Sequence, residues 1–173
     1  MAIRSSFILA GLVLGAPLLA ACPQAPPPQP KAPVDLAAPG MIAAVKTFEC
    51  AGPVDVSALR ATRMKNGKQW YEAPPGFAVF GFPAVDLGVA PSPSSRRQTF
   101  ASVRASPASV LAAVRAAMPE ARVSSAGHPD GQIPANANFY DVTWGEPAPG
   151  ENVNHMSLEG EGPETYVDCD VAR

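Results

Sequence analysis

The sequence predicts an α+β domain: a two-layer sandwich in which a mostly antiparallel sheet carries one or two helices on one face. Three segments near the C-terminus alternate apolar and polar residues with a period of two, as half-buried strands do: 139–144, 152–159 and 165–171. Residues 107–118 instead place apolar side chains at helical spacing, after a capping serine and a proline that suits the first turn. Strand and helix patterns in this arrangement favour two packed layers.

Further strands are predicted in the first half of the domain. The first is residues 42–50, whose apolar side carries Ala44, Phe48 and Cys50. Residues 77–89 are extended, with a glycine and a proline that indicate a bulge or bend. Residues 97–104 form another strand, which leads directly into the predicted helix.

Residues 55–72 have two possible structures. Asp55 can cap a short helix that runs through Met64, with Gly67 after it as a stop. The segment K-N-G-K at 65–68 also fits the turn of a β-hairpin. The helix gives the order βαββαβ plus a C-terminal hairpin, which fits a ferredoxin-like sandwich, whereas the hairpin gives a mostly antiparallel sheet with one helix across a face.

Residues 1–21 have the organisation of an export signal. One basic residue, Arg4, precedes an apolar run from Phe7 to Ala21. That run is shorter than the roughly 20 residues that a membrane-spanning helix needs, and no basic stop signal follows it. The pattern therefore predicts a secretory signal peptide rather than a transmembrane helix.

The end of the apolar run reads Leu19-Ala20-Ala21-Cys22 and resembles the lipobox of bacterial lipoproteins. The resemblance covers only residues 1–22. It implies that the signal is cleaved before Cys22 and that the thiol of Cys22 receives a diacylglycerol, so that acyl chains anchor the protein to a membrane without spanning it. Pro23 follows where inner-membrane lipoproteins of Gram-negative bacteria tend to have Asp. The resemblance thus favours the outer membrane, with the domain facing the periplasm.

Residues 22–40 combine the lipidated cysteine with a proline-rich spacer. Seven of the eighteen residues from 23 to 40 are proline, which removes a backbone donor and fixes φ. A semi-rigid polyproline II tether is therefore expected between the membrane and the domain. Residues 41–173 remain for a single domain of ordinary size.

Two cysteines, Cys50 and Cys169, remain after lipidation of Cys22. Export places them in an oxidising compartment, where paired cysteines usually form disulfides. Their wide spacing excludes a CxxC redox pair. A disulfide between the first and the last strand of the domain is therefore predicted.

A recognition surface is predicted around two adjacent aromatic residues, Trp70 and Tyr71, which precede a Pro-Pro-Gly turn. On a strand these two side chains face opposite ways, so one of them is expected to point outward. Four basic residues come shortly before or beside them: Arg60, Arg63, Lys65 and Lys68. Such a surface suits an acidic partner, a phosphorylated lipid head group or the cell-wall polymer. The alternative is that at least one of the two rings fills the core.

The sequence contains no catalytic or phosphate-binding motif, so no catalytic residue, metal or cofactor is predicted. His128 and His155 are far apart in the chain and are interpreted as structural. Asp168 and Asp170 flank Cys169 and are expected to project from the opposite face of the last strand, as charges that protect a solvated edge.

The predicted function is a lipid-anchored binding or structural module of the cell envelope. Its expected partners are the membrane, through Cys22, and an envelope protein or cell-wall polymer, with no nucleic acid. Residues 22–122 carry a net charge of +5 and residues 123–173 a net charge of −8, a division that can recruit a basic partner or be neutralised within the fold. The alternative function is an envelope hydrolase or transferase whose active site is not evident from the sequence.

Overall fold

The computed structural model describes four ranges of the chain: 33–90, 96–146, 153–161 and 163–172. The described residues belong to one compact unit that begins at residue 33. The predicted export signal, Cys22 and spacer residues 23–32 lie outside these ranges. Within them, no helix is long and apolar enough to cross a membrane.

The predicted α+β class is confirmed: two helices accompany a mostly antiparallel sheet. The helices are α1 (Pro39–Phe48) and α2 (Pro107–Ala117). The strands are β1 (Arg60–Lys65), β2 (Lys68–Glu72), β3 (Ala78–Val79), β4 (Phe82–Ala90), β5 (Arg96–Val103), β6 (Arg122–Ser125), β7 (His128–Pro129), β8 (Phe139–Trp144), β9 (Asn154–Glu161) and β10 (Glu164–Ala172).

The strands form one open sheet in the order β1-β2-β4-β5-β10-β9-β8-β6-β7, with β3 paired only to β4. Each neighbouring pair is antiparallel. The last strand, β10, lies in the middle of the sheet, between β5 and β9. The two halves of the domain therefore meet through β10.

A hairpin, not a helix, occupies residues 55–72, so the ferredoxin-like order βαββαβ does not occur. Strands β1 and β2 pair across a tight turn at Asn66 and Gly67. Both turn residues have positive φ, 54° and 72°, as a two-residue hairpin turn of this kind requires. Asn-Gly adopts these angles easily, and this local preference prevails over the weak helical pattern.

The prediction of a strand at residues 42–50 was wrong, because most of this segment belongs to α1. Met41, Ala44 and Phe48 are buried, and their separations of three and four residues place them on one side of a helix. Pro39 begins the helix, inside the segment predicted as spacer, and suits a first helical position. Cys50 lies just beyond the helix with a φ of 58°, not on a strand.

Both helices pack on the same face of the sheet, called the covered face below. Helix α1 contacts β3 and β5, and α2 contacts β8, β9 and β10. The strands contribute alternate apolar residues to the core between them, among them Leu87, Ala101, Val103, Val142, Met156, Leu158 and Val167. Buried hydroxyls on this face bond to the backbone: Thr99 donates to the carbonyl of Thr47, and Thr165 to that of Ala105.

The predicted disulfide between Cys50 and Cys169 is present. It joins Cys50, the second residue after α1, to the middle of β10, with a Cα–Cα distance of 5.8 Å and a sequence separation of 119 residues. Both cysteines are buried in the core. The bridge therefore fastens the beginning of the domain to its last strand on the covered face.

Candidate functional site

The opposite face of the sheet, called the open face below, has no described helix packed on it. One row of residues crosses six strands there, each directly opposite the next: Trp70, Gly88, Phe100, Asp168, Ser157 and Asp141. This row alternates with the buried residues of the covered face, because successive side chains of a strand point to opposite faces. The open face is therefore built from the polar phase of the strands.

A depression of about 230 Å³ lies on the open face, over the centre of this row. Its charged lining comprises three carboxylates, Asp86, Glu159 and Asp168, and the ammonium group of Lys68. Its aromatic lining comprises Trp70, Phe100 and Tyr166. Ligand sites commonly combine aromatic rings with a few charged groups.

The ring of Trp70 lies flat against the backbone of β4 because its neighbour there is Gly88. A Cβ atom at Gly88 would come within 3.3 Å of the indole ring, so the ring would have to shift slightly to admit a larger residue. The guanidinium carbon of Arg63 is 5.4 Å from the ring centroid, within the range of a cation–π contact. The indole N–H of Trp70 is buried and has no hydrogen-bond acceptor among the described residues.

The centre of the depression brings a cation, a ring and a carboxylate together. The Lys68 nitrogen lies 3.3 Å from the centroid of the Phe100 ring. Burial raises the pKa of Asp168 above its ordinary value, and the neighbouring Asp170 carboxylate adds to the rise. The positive charges of Lys68 and His155 act on the Asp168 pKa in the opposite direction.

The predicted recognition residues divide between the two faces. Trp70 and all four basic residues lie on the open face, since Arg60, Arg63 and Lys65 stand opposite Glu72, Trp70 and Lys68. A shift in the β1–β2 register between Ala61 and Arg63 keeps Arg60 and Arg63 on the same side, although they are three residues apart. Tyr71 faces the other way and packs against the core. The interpretation that one of the two rings serves the core fits this arrangement.

Phe100, Tyr166 and Asp86 line the depression but were not predicted as site residues. A signal was available, because Phe100 and Tyr166 are aromatic residues in the phase of their strands that is otherwise polar. Tyr166 is 45% exposed. The presence of Asp168 and Lys68 in one depression could not be predicted in this way, because it depends on β5 and β10 lying side by side.

His155 and Asp141 also meet on the open face, with the ring nitrogen Nε2 2.8 Å from a carboxylate oxygen. Both side chains are about 40% exposed. A hydrolase or transferase site would need a nucleophile and a base that converge in a cleft, and this pair lies on an exposed sheet surface instead. Among the described residues, no group of three or more His, Cys, Asp or Glu side chains is arranged to hold a metal ion.

Comparison with known proteins assigns no family. The chain matches no protein-family model, and neither a curated protein nor a solved structure shows significant similarity to it. The inference of function therefore rests on the geometry and chemistry of the open face.

Proposed function

We propose that this protein is a lipid-anchored lipoprotein of the bacterial cell envelope whose domain binds its partner on the open face of the sheet. The observation that carries the proposal is the depression around Phe100, where Trp70 and Tyr166 lie beside Lys68 and Asp168. An antiparallel sheet that only needs to stay soluble on one face can fill it with small polar and charged residues. Partly exposing three aromatic residues and half-burying a carboxylate both cost free energy, and ligand binding would explain why these residues are there.

The buried indole N–H of Trp70 supports the same proposal. Buried donors in folded proteins are nearly always paired, and this one has no acceptor among the described residues. A partner that displaces the groups covering the indole and brings an acceptor would satisfy this donor. The open face thus presents aromatic and charged surface around a donor that has no acceptor among the described residues.

The envelope location is proposed from the N-terminal sequence. Leu19-Ala20-Ala21-Cys22 supports lipidation, and Pro23 supports transport to the outer membrane with the domain in the periplasm. The disulfide between Cys50 and Cys169 agrees with an oxidising compartment. In this setting the partner is an envelope protein or the cell-wall polymer.

Site-specific crosslinking in intact bacterial cells tests the binding face. A photoreactive phenylalanine analogue replaces Tyr166 on the open face or, as a matched control, the exposed Ala116 of α2. We expect a discrete crosslinked product from position 166 and none from position 116, and Trp70→Ala should weaken the product from 166. Equal products from both positions, or none from 166, would contradict the proposal.

A second arm of the experiment tests the anchor. Cells that express the full chain or its Cys22→Ala variant are labelled with a clickable palmitate and fractionated. We expect label and membrane association for the unaltered chain and neither for the variant. A variant that still carries label and pellets with membranes would show that the lipobox interpretation is wrong.

A further inference from the structure

The depression already holds one cation, the side chain of Lys68. Its nitrogen lies 3.3 Å from the centroid of Phe100, well inside the distance of about 6 Å at which an ammonium interacts with a ring face. The charge of Lys68 also acts on the half-buried carboxylate of Asp168. An ammonium group on a ring face, with a carboxylate in the lining of the same depression, has the components of a cation-binding site.

The rest of the lining favours a cation over other ligands. Apart from Lys68, its charged residues are the carboxylates Asp86, Glu159 and Asp168, of which Asp86 also pairs with Arg63 at 3.9 Å. A neutral sugar could stack on the exposed Tyr166, but it would gain nothing from the charge of the carboxylates, and Lys68 and Arg63 lie over the rings of Phe100 and Trp70. An anion would meet the carboxylates. The lining without Lys68 is therefore complementary to a positive charge.

The occupant and its site are held in different ways. Phe100 and Asp168 stand directly opposite each other on β5 and β10, two strands that are paired on both sides in the middle of the sheet. Lys68 is the first residue of β2, immediately after the hairpin turn, and reaches the site on a four-carbon stem. The site is thus formed by the sheet, whereas its occupant can leave by rotating its side chain.

Resting on the proposed function, we infer that the depression binds a lysine side chain of a partner protein, which displaces Lys68 from Phe100 and Asp168. The lysine of a partner carries an ammonium group without an adjacent carboxylate. A diamino acid with a carboxylate beside its amine would bring a negative charge next to Asp168 and Glu159 and is disfavoured. Lys68 occupies the site until such a partner arrives, so a ligand must compete with its ammonium group in order to bind.

The test is a titration of the full-length protein in detergent micelles with N-acetyl-lysine methylamide, followed by the indole N–H resonance of Trp70. Lys68→Met removes the competing ammonium but keeps the stem, and Lys68→Gln is a second variant. Lys46→Met is the matched control, because Lys46 is an exposed lysine on α1, on the other side of the sheet. Uncharged N-acetyl-norleucine methylamide is the control probe.

We expect the lysine probe to bind both Lys68 variants roughly tenfold more tightly than the unaltered protein, the gain that corresponds to an occupancy by Lys68 of about nine-tenths. Lys46→Met should bind the lysine probe with the affinity of the unaltered protein. Adding Asp168→Asn to Lys68→Met should abolish the gain in affinity. Equal affinities for Lys68→Met and Lys46→Met would overturn the inference. Equal binding of the norleucine probe, or tighter binding of N-acetylglucosamine or 2,6-diaminoheptanedioate, would overturn it as well.

The two proposals fail separately. If position 166 gives a crosslink that depends on Trp70 but no lysine probe binds, the open face is a binding face and the ligand class is wrong. If position 166 gives no crosslink, the proposed function itself is wrong.

Discussion

The two faces of the sheet are built from the same strands and differ in almost every other respect. In β10, Val167 and Cys169 point to the covered face and are buried, whereas Asp168 and Asp170 point to the open face. The covered face is closed by two helices and a disulfide. The open face carries rings, carboxylates and cations. A change of one position along a strand therefore changes which property of the molecule a residue controls.

Aromatic residues show the contrast most clearly. On the covered side, Phe48 and Phe77 pack edge to face with their ring centroids 6.4 Å apart, and both are almost fully buried. On the open face, Trp70 and Phe100 instead have cations over their rings. The first arrangement excludes water and stabilises the fold. The second keeps charged groups at the surface, where a partner can reach them.

The two sides also differ in how completely their polar groups are hydrogen-bonded. The buried hydroxyl of Thr47 accepts a hydrogen bond from the backbone N–H of Asp55, and its oxygen lies within 3.2 Å of three carbonyl oxygens, those of Ala43, Pro53 and Asp55. On the open face, the indole N–H of Trp70 has no acceptor among the described residues, and Asp168 is half-buried at a cost in free energy. Stability is therefore concentrated on the covered face, and substitutions on the two faces should have separable effects.

The largest effect should come from the disulfide on the covered face. Replacing both Cys50 and Cys169 by Ala releases a loop of 119 residues, for which the entropy of the unfolded chain predicts a loss of roughly 4–5 kcal/mol. Urea unfolding of the oxidised protein and of the double variant measures the difference. A loss below about 1 kcal/mol would mean that the helices hold the covered face closed without the bridge.

Neighbouring substitutions at Trp70 and Tyr71 sharpen the comparison within one strand. Tyr71→Ala removes a ring that packs against the core, so we expect a loss of roughly 2–3 kcal/mol, below the value for a fully buried ring. Trp70→Ala removes a ring from the open face and should cost about 1 kcal/mol. Thermal and urea unfolding give both values.

The same two variants should rank in the opposite order in binding. At a temperature where both are folded, Trp70→Ala should weaken the crosslink from position 166, and Tyr71→Ala should leave it nearly unchanged. If Trp70→Ala proved the more destabilising and left the crosslink intact, Trp70 would be a structural residue and the division between the faces would fail at β2.

Local patterns in the sequence predict much of the covered face. The alternation in residues 139–144 and 165–171 and the apolar stripe of 107–118 correspond to β8, β10 and α2 within a residue or two at most boundaries. The prediction of a strand at residues 42–50 failed because Ala44 and Phe48, four residues apart, fit both the strand period and the helix period. The short strands β3 and β7 have too few residues to show any period.

The open face was only partly predictable because it depends on strand order. Trp70 and its basic neighbours are close in sequence, and their grouping was readable. Phe100 and Asp168 are 68 positions apart and become neighbours only because the last strand inserts beside β5. Nothing in the local pattern of either strand indicates that pairing, so the contact of Lys68 with Phe100 beside Asp168 could not be anticipated.

The smallest effect should come from Asp168, and its sign depends on pH. Burial raises the folded-state pKa above the ordinary value of 3.8, so ionisation of this carboxyl costs folding free energy. The stability that protonated Asp168 contributes is fully present below the pKa of the unfolded state. It is lost as the pH rises through the pKa of the folded state. Asparagine cannot ionise, so Asp168→Asn should raise the free energy of unfolding at about pH 7, by less than about 1 kcal/mol after solvent screening.

Thermal unfolding at about pH 7 and about pH 3.5 should show this gain at the higher pH and little of it at the lower. Asp170→Asn is the matched control, because Asp170 lies on the same face but holds Arg96 in an ion pair of 2.7 Å. That variant should therefore be less stable than the unaltered protein at about pH 7. A loss of stability for both variants would mean that the charge of Lys68 fully offsets the free-energy cost of burying the Asp168 carboxylate. The open face would then be as well adapted to folding as the covered one, and the central contrast between the two faces would not hold.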